Sequence, residues 1–260
     1  MKKVDLNCDL GESFGNYVCG MDDRVIPFIS SANVACGFHA SDPCVMSKTV
    51  QMCKESGVSV GAHPGYADLV GFGRRNMNVS AEEVKDIVQY QIGALDAFCK
   101  ANNMKLSHVK PHGALYNMAG KDIKLAEAIA EGIYEVNPEL ILLGLSGSCL
   151  IDAANEVGIK SASEVFADRA YEEDGSLVAR TKEGSMITDE MTAIDRVVRM
   201  IKSGTVEAIS GKEIEVKPDS ICLHGDGQKA VEFAKKISER LTEEGIEICP
   251  LEEVIENGIG

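Results

Sequence analysis

Residues 4–13 read VDLNCDLGES, an alternation of apolar and polar residues that runs into a glycine turn. Side chains alternate between the two faces of a β-strand, so the polar residues share one face and the apolar residues share the other. The polar face carries Asp5, Asn7 and Asp9. A first strand of this kind is expected to point its polar face into the mouth of a barrel.

The rest of the chain alternates short apolar strands with helical segments, which is the pattern of a parallel sheet built from βα units. The predicted strands lie at about 3–8, 29–36, 58–62, 106–109, 140–145, 163–167 and 220–223. The predicted helices lie at about 43–56, 80–103, 122–136, 188–202 and 228–244. Ser80 and Glu83 are expected to form a capping box, and an insertion at 205–216 a β-hairpin that turns at Gly211 and Lys212.

Polar side chains follow these strands from the first to the last. The five histidines all stand at or near predicted strand ends: His39, His63, His108, His112 and His224. The carboxyl ends of parallel strands meet on one face, whereas an open sheet would concentrate its chemistry at one switch point. We therefore expect an α/β fold, a distorted or incomplete (β/α)7 barrel of the TIM type, forming a single domain over residues 1–260.

The composition limits the partners and the compartment. The chain has 260 residues and a formal net charge of −15, which argues against nucleic acid or an anionic membrane as a partner. Its nine cysteines form no CxxC pair and are odd in number, as expected for reduced thiols in the cytoplasm. No apolar run reaches the length of a membrane span, and Asp5 and Asp9 interrupt any signal-peptide core. We expect a cytoplasmic protein.

Asp9 and Lys110 are the strongest candidates for chemistry. Asp9 could act as a general base or as an oxygen ligand for a divalent cation; the alternative is a hydrogen-bonded carboxylate that ties the turn at Gly11. Lys110 alternates with His108 and His112, so the three side chains are expected on one side of the fourth strand. A buried lysine must be paired or face a ligand, so a salt bridge is its alternative. For His108 a satisfied core position is expected.

Metal binding is a further possibility at the strand ends. His39 and His63 stand beside glycine or proline, where the backbone lets a substrate approach closely. With Asp9 they would make a nitrogen and oxygen site for Zn²⁺ or another divalent ion. No HExxH motif occurs, so general acid–base catalysis without a metal stays open for the same residues.

Two polar loops are candidates for binding an anion. The stretch GYADLVGFGRR at 65–75 is rich in glycine and ends in Arg74 and Arg75, either of which could bind a carboxylate or phosphate. Asp168 and Arg169 belong to the second loop. A solvated basic patch is the alternative for each arginine. Neither GxxxxGK[ST] nor GxGxxG occurs, so any ATP would be bound in another way or by another subunit.

These segments together resemble the LamB/YcsF family, the family of the 5-oxoprolinase A-type subunits. The resemblance is carried, in order, by DLNCDLGESFG at 5–15, SANVACGFHASDP at 31–43, VGAHPGYADLVGFGRR at 60–75, HVKPHGALYN at 108–117, EVFADRAY at 164–171, DGSLVAR at 174–180 and ICLHGD at 221–226. Ser41 departs from the usual glycine of the family and Ala67 from its common proline. Seven long motifs in the same order make the resemblance specific.

The resemblance implies a distorted barrel related to those of glycoside hydrolases and deacetylases. It also implies a three-subunit enzyme that opens 5-oxo-L-proline (pyroglutamate) to L-glutamate with ATP hydrolysis, with subunits B and C as partners and ATP bound with or by them. The predicted catalytic residues are Asp9, His63, Lys110 and His112. The predicted substrate-binding residues are Asn7, His39, Arg74, Arg75, Asp168, Arg169 and His224. A divalent metal of unknown identity would be held by Asp9, His39 and His63.

In this hypothesis the chain carries the hydrolytic step. Asp9, with His63 or a bound metal, would activate water. Lys110, His112 and Arg169 would stabilise the oxyanion and phosphate, and an arginine of the glycine-rich loop would clamp the substrate carboxylate. Two alternatives stay open: a stand-alone metal-dependent amidohydrolase or deacetylase, and a non-catalytic substrate-binding subunit.

Overall fold

Parallel strands close into a barrel in the computed structural model, which describes residues 2–223 and 228–257. The strands are β1 (Lys3–Leu10), β2 (Ser31–Ala35), β3 (Ser59–His63), β4 (Leu106–Val109), β5 (Ile141–Leu145), β6 (Lys160–Phe166), β7 (Thr205–Glu207), β8 (Glu213–Glu215), β9 (Ser220–Leu223) and β10 (Glu247–Ile248). Around the barrel the order is β1-β2-β3-β4-β5-β6-β9, and β9 pairs with β1 to close it. The expected seven-stranded α/β barrel is confirmed.

Helices connect most of these strands. They are α1 (Asp22–Val25), α2 (Pro43–Ser56), α3 (Ala81–Ala101), α4 (Gly113–Ala119), α5 (Ile123–Val136), α6 (Cys149–Val157), α7 (Glu190–Ser203), α8 (Gln228–Glu243) and α9 (Leu251–Asn257), with a 3-10 helix at Ile26–Phe28. Asp42 caps α2 by accepting hydrogen bonds from two backbone N–H groups, and Ser80 and Glu83 form the expected capping box of α3. None of the described helices is both long and apolar enough to cross a membrane.

The insertion and the carboxyl-terminal tail complete the architecture. β7 and β8 pair antiparallel as the expected hairpin, and Gly211 in its turn has a φ of +86°. The tail beyond α8 had no assigned structure in the sequence analysis. It forms β10, which extends the sheet beside β1, and α9, which packs Leu251 against Ile141 and Leu143 of β5. The tail therefore covers the amino-terminal end of the barrel.

Four short α-helices were not predicted from the sequence: α1, α4, α6 and α9. Two of them, α4 and α6, follow β4 and β5. α4 begins directly after Pro111 and His112, where proline and glycine favour a loop. α6 has nine residues, too few for its periodicity to be distinguished from a buried strand. Both are stabilised by tertiary packing rather than by propensity, since Leu115 of α4 and Leu150 of α6 are fully buried.

The interior of the barrel is polar along much of its length, although TIM barrels are usually filled with branched apolar side chains. Near the amino-terminal end, Asp5 accepts hydrogen bonds from the hydroxyl groups of Ser30, at 2.7 Å, and Ser220. One layer further up, Asn33 donates to the side-chain oxygen of Asn7 at 2.7 Å. The polar face predicted for β1 therefore does point into the barrel.

His108 lies inside this polar column. Its Nε2 donates to the side-chain oxygen of Asn33 at 2.8 Å, and burial lowers its pKa to about 4, so the ring is neutral. A Cβ atom at Gly61 of the neighbouring strand would lie only 2.1 Å from the ring. Glycine at position 61 is therefore required for the imidazole to fit, and His108 is the satisfied core residue that the sequence predicted.

The buried carboxyl group of Asp5 predicts a pH-dependent stability. Burial raises its pKa from 3.8 to about 6, against the hydrogen bonds that lower it. A raised folded-state pKa means that the contribution of Asp5 is fully present below about pH 4 and is lost as the pH rises through 6. Between pH 4 and pH 7.5, Asp5→Asn should therefore gain about 2–3 kcal/mol of unfolding free energy relative to the wild type.

Urea denaturation of both proteins at several pH values measures this change. The comparison uses the slope with pH, because any constant effect of the amide on the two serine hydrogen bonds cancels. Asp86→Asn, on the exposed face of α3, is the matched control and should run parallel to the wild type. Parallel curves for Asp5→Asn as well would contradict the assignment.

Candidate active site

A cavity of about 570 Å³ opens at the carboxyl-terminal end of the barrel. Its wall is formed by residues that end or follow β1, β3, β4, β5 and β6. Among the residues predicted from the sequence, those that line it are Asp9, His63, Arg74, Lys110, His112 and Arg169. The polar strand ends thus converge on one cavity, as the barrel topology requires.

Lys110 is buried at the cavity between two carboxylates. Its Nζ lies 3.0 Å from Asp9 Oδ1 and 2.8 Å from Glu164 Oε1. Glu164 is fully buried and also accepts a hydrogen bond from the hydroxyl of Tyr116 at 2.7 Å. Burial by itself would lower the pKa of Lys110, but Asp9, Cys222 and Glu164 raise it well above its ordinary value. Lys110 is therefore both ion-paired and a fixed positive charge in the cavity wall.

Asp9 reaches the cavity with about a quarter of its side chain exposed. Its Oδ1 accepts hydrogen bonds from Lys110 and from Asn33, the latter at 2.9 Å, and its Oδ2 lies 3.3 Å from His63 Nε2. Burial would raise the pKa of Asp9, but His63 and Lys110 outweigh it and hold the pKa well below its ordinary value. Asp9 is thus a carboxylate at neutral pH, with one oxygen fixed and the other turned toward the histidines.

Two histidine rings face each other in an arrangement set by the backbone. His63 Nδ1 lies 2.7 Å from the carbonyl oxygen of Lys110, and His112 Nε2 lies 2.8 Å from that of Phe72. A carbonyl oxygen can only accept a hydrogen bond, so we assign the proton to each of these nitrogens. The other nitrogens, His63 Nε2 and His112 Nδ1, lie 3.0 Å apart. In neutral rings they present two facing lone pairs, which need a cation or a shared proton between them.

Glu12 and His39 complete a group with these rings. One ligand atom from each of Glu12, His39, His63 and His112 lies within 4.8 Å of the others. His39 stacks on His112 with ring centroids 3.6 Å apart, and its Nε2 lies 3.2 Å from Glu12 Oε1. Burial lowers the pKa of His112 to about 3 and that of His39 well below its ordinary value, so both rings are neutral donors.

The donor set of this group fits a divalent transition metal. Three imidazole nitrogens and a carboxylate oxygen are ligands that Zn²⁺ commonly takes. The backbone carbonyls on the outer nitrogens of His63 and His112 are the usual second partners of metal-bound histidine. Asp9, expected from the sequence as a ligand, is not in this group, whose carboxylate is that of Glu12. Strand alternation could not predict Glu12, because the chain turns at Gly11, where φ is +69°.

The two arginines of the glycine-rich loop have different positions. Arg74 lines the cavity, with its guanidinium carbon 5.0 Å from the centre of the Phe72 ring. Arg75 instead pairs with Asp68 of its own loop, with Nε 2.9 Å from Oδ2, and is not among the described residues that line the cavity. The sequence alone could not show which of these two adjacent arginines lines the cavity, because that depends on the pairing of Arg75 with Asp68.

The remaining predicted residues are placed as follows. Asn7 lies one layer below the cavity, where it donates to the Ser220 hydroxyl at 2.7 Å. Arg169 lines the cavity and donates from Nη2 to the carbonyl oxygen of Val178 at 2.6 Å, whereas Asp168 is not among the described residues of the wall. His224 lies outside the described residues. Glu164 and Tyr116 were missed by sequence reasoning, although both fall within motifs that carry the family resemblance.

Ser41, where the family resemblance leads one to expect glycine, adopts a backbone conformation that favours glycine. Its φ is +75°, in the left-handed region that glycine adopts without strain. The residue is buried, and its N–H donates to the carbonyl oxygen of Ser13 at 3.0 Å. This bond joins the His39 segment to the loop after β1, which carries Glu12. The backbone conformation is therefore kept here although serine replaces glycine.

The profile of the LamB/YcsF family matches residues 4–256. The chain is 70% identical over 254 residues to the A-type subunit of 5-oxoprolinase from Clostridium beijerinckii, covering 98% of this chain and 100% of that protein. It is 58% identical over 255 residues to the corresponding 5-oxoprolinase protein of Campylobacter jejuni subsp. doylei, covering 98% and 100%. The chain belongs to the LamB/YcsF family.

Solved structures agree with the fold. The lactam utilization protein from Thermus thermophilus superposes with a TM-score of 0.90 at 46% identity, covering 95% of this chain and 99% of that one. A putative cellobiose-phosphate cleavage protein from Enterococcus faecalis superposes with a TM-score of 0.60 at 13% identity, covering 98% and 99%. The second likeness supports the fold alone.

The buried ion pairs of Lys110 predict a strong energetic coupling. Lys110→Met should destabilise the protein by about 3–5 kcal/mol, because it leaves buried carboxylates without their counter-charge. Adding Glu164→Gln removes one of those charges, so the double variant should lose clearly less stability than the sum of the single losses. Urea denaturation of the wild type, both single variants and the double variant gives the coupling free energy. Lys105→Met, at an exposed position before β4, is the control; additive losses at 110 and 164 would refute the coupling.

Proposed function

We propose that the chain is the A-type subunit of an ATP-dependent 5-oxoprolinase, which opens 5-oxo-L-proline to L-glutamate, and that it carries the hydrolytic step. Family membership supports this, as do relatives of that name, one of them 70% identical over nearly the whole chain. The observation that carries the mechanism is an ionised Asp9 beside a fixed Lys110 in a cavity large enough for a small cyclic amide.

The chemistry of the substrate explains why ATP is needed. A five-membered lactam is an unstrained amide, so its carbonyl carbon is a poor electrophile, and glutamate closes to the ring readily enough to oppose hydrolysis. Phosphorylation of the lactam oxygen makes the ring carbon more electrophilic, so water can add to it. The ring C–N bond then breaks, with a proton going to the nitrogen as the amine forms, and hydrolysis of the resulting acyl phosphate releases phosphate and L-glutamate. The chain has no P-loop motif. This supports a division of labour in which subunits B and C perform the phosphorylation in the cytoplasm.

The charges of the cavity suit an anionic substrate. Its wall contains five lysine or arginine residues and three acidic residues, in a chain whose net charge is −15. Because field lines concentrate in a cleft, this local excess of positive charge would attract a carboxylate or phosphate. Arg74, which lines the wall beside Phe72, would clamp the substrate carboxylate in this proposal.

Asp9 is the general base in this mechanism. Its Oδ1 is held by Lys110 and Asn33, whereas Oδ2 faces His63 and is the oxygen that would accept a proton from the attacking water. The positive charges of Lys110 and Arg169 then stabilise the negative charge that develops on the substrate oxygen. Because Glu164 and Tyr116 fix the far side of Lys110, the ammonium group needs little reorganisation when that charge appears.

Glu12, His39, His63 and His112 would hold a divalent cation in this site. When bound, it would supply Lewis-acid polarisation of the substrate oxygen. The residues themselves orient one another, since His63 and His112 are fixed by backbone carbonyls and His39 by stacking. The same group also favours the second candidate function, a metal-dependent amidohydrolase that works without ATP.

The role of Asp9 is tested by Asp9→Asn, which keeps the shape of the side chain but removes its basicity. Glutamate release from 5-oxoproline, with ATP and subunits B and C, should fall by about 10²–10⁴-fold. Asp86→Asn is the control and should retain wild-type turnover. Turnover near wild type in Asp9→Asn would refute the general-base assignment.

The same assay separates the alternatives. ATP-dependent release only by the complete set of subunits supports the proposed function, whereas release by the chain alone without ATP indicates an independent amidohydrolase. A substrate-binding subunit would show a raised KM in cavity variants with kcat unchanged.

Metal binding is tested by titrating the chelator-treated chain with Co²⁺ and recording its visible absorption, with Zn²⁺ as competitor. One ion should bind per chain, and Glu12→Gln and His112→Ala should each weaken binding by about 10–100-fold or more. Glu82→Gln, in the exposed first turn of α3, should bind as the wild type does. Equal affinities in all four proteins would show that this group is not the site.

A further inference from the structure

One wall of the cavity lies at the α6 end, and among the candidate ligand-binding residues at this wall only Arg169 has a role in the mechanism above. The wall is formed by residues 146–148, between β5 and α6, and by Gly120 and Lys121, between α4 and α5. The two segments are joined, because the N–H of Cys149 donates to the carbonyl oxygen of Gly120 at 3.1 Å. This contact fixes the turn that carries Lys121 beside the first turn of α6.

Ser148 is the N-cap residue of α6, but its side chain makes no capping hydrogen bond. An N-cap serine usually accepts a hydrogen bond from one of the first backbone N–H groups of its helix. Here the residue is only 7% exposed, lines the cavity, and its Oγ has no hydrogen-bond partner among the described residues. A buried hydroxyl without a partner is unfavourable, so this geometry is expected where a ligand supplies the missing partner.

Arg169 gives a second, independent observation of the same kind. It is 6% exposed and lines the same cavity, from the loop after β6, the strand next to β5. One guanidinium nitrogen, Nη2, donates to the carbonyl oxygen of Val178, but Nε has no partner within the described part of the chain. A buried guanidinium group with an unused donor is suited to an oxyanion.

We propose that this wall binds a phosphoryl dianion, with Ser148, Lys121 and Arg169 as its donors at the N-terminus of α6. The positive end of the α6 dipole favours phosphate there, although the N–H groups of Cys149 and Ile151 already donate to the carbonyl oxygens of Gly120 and Ser148. Asp174 also lines the cavity and opposes an anion, but Lys121 and Arg169 outweigh its single charge. The inference rests on the proposed function, in which the carbon skeleton lies toward Asp9 and Arg74 and the phosphate toward α6.

The experiment uses inorganic phosphate and the full chain without partner subunits. Isothermal titration of phosphate should give a dissociation constant that rises about tenfold in Lys121→Gln and at least severalfold in Ser148→Ala, because each loses a donor to a charged ligand. Neither change threatens the fold, since Lys121 is exposed and Ser148 makes no cap bond. Lys124→Gln, an exposed lysine of α5 that is not in the cavity wall, should bind phosphate as the wild type does.

A phosphoryl group could belong to a phosphorylated substrate or to a nucleotide, and parallel titrations with ATP and ADP distinguish the two. A nucleotide affinity well above that of phosphate, lost in the same variants, assigns the wall to a nucleotide phosphate. Phosphate binding without a gain for the nucleotides assigns it to the substrate. Absence of phosphate binding, or equal binding by the wild type and both wall variants, overturns the proposal.

Failure of this inference is distinguishable from failure of the proposed function. Phosphate binding is measured on the chain alone, whereas glutamate release is measured with ATP and the complete set of subunits. Phosphate binding that depends on Ser148 and Lys121, without glutamate release, would overturn the function and keep the phosphoryl site. If glutamate is released but phosphate binding is the same in the Ser148 and Lys121 variants as in the wild type, the proposed function is kept and the phosphoryl site is overturned.

Discussion

The ion pairs of Lys110 with Asp9 and Glu164 are the interaction on which the site depends. Burying an ammonium group and carboxylates is unfavourable unless each charge is compensated at short range, so the three residues hold one another in place. They come from β1, the end of β4, and β6, and none of these strands is a neighbour of another in the barrel. The charges can therefore meet only in the closed barrel, so the site depends on the complete fold.

The polar interior of the barrel lies below these charges and supports the site. It also restricts which side chains its positions can hold. Asn33 links the layers, because its amide donates to Asn7 and Asp9 and its oxygen accepts from His108. Such networks are stable only when each member is satisfied, so a change in one layer is felt at the cavity. Gly61 is restricted in the same way, since any side chain at this position would displace the His108 ring.

Much of this architecture could be predicted, and the failures have physical causes. Strand alternation predicted Asp9 and Lys110 on the inner face. This prediction is possible because side chains alternate between the two faces of any strand, whatever the rest of the fold. Glu12 follows a turn, beyond which alternation has no meaning, so its place beside three histidines was not predicted. α4 and α6 were missed because short helices depend on tertiary packing, which no local window contains.

The sequence by itself determined the alternation of strands and helices, the polar face of β1, the gathering of histidines at strand ends and the likeness to the LamB/YcsF family. These follow from local periodicity and from the order of motifs. Only the tertiary structure decided which polar groups pair: Arg75 with Asp68 rather than the cavity, Lys110 with Glu164, and Glu12 with the histidines. Pairing depends on distances between segments far apart in the chain, and those distances exist only once the barrel has closed.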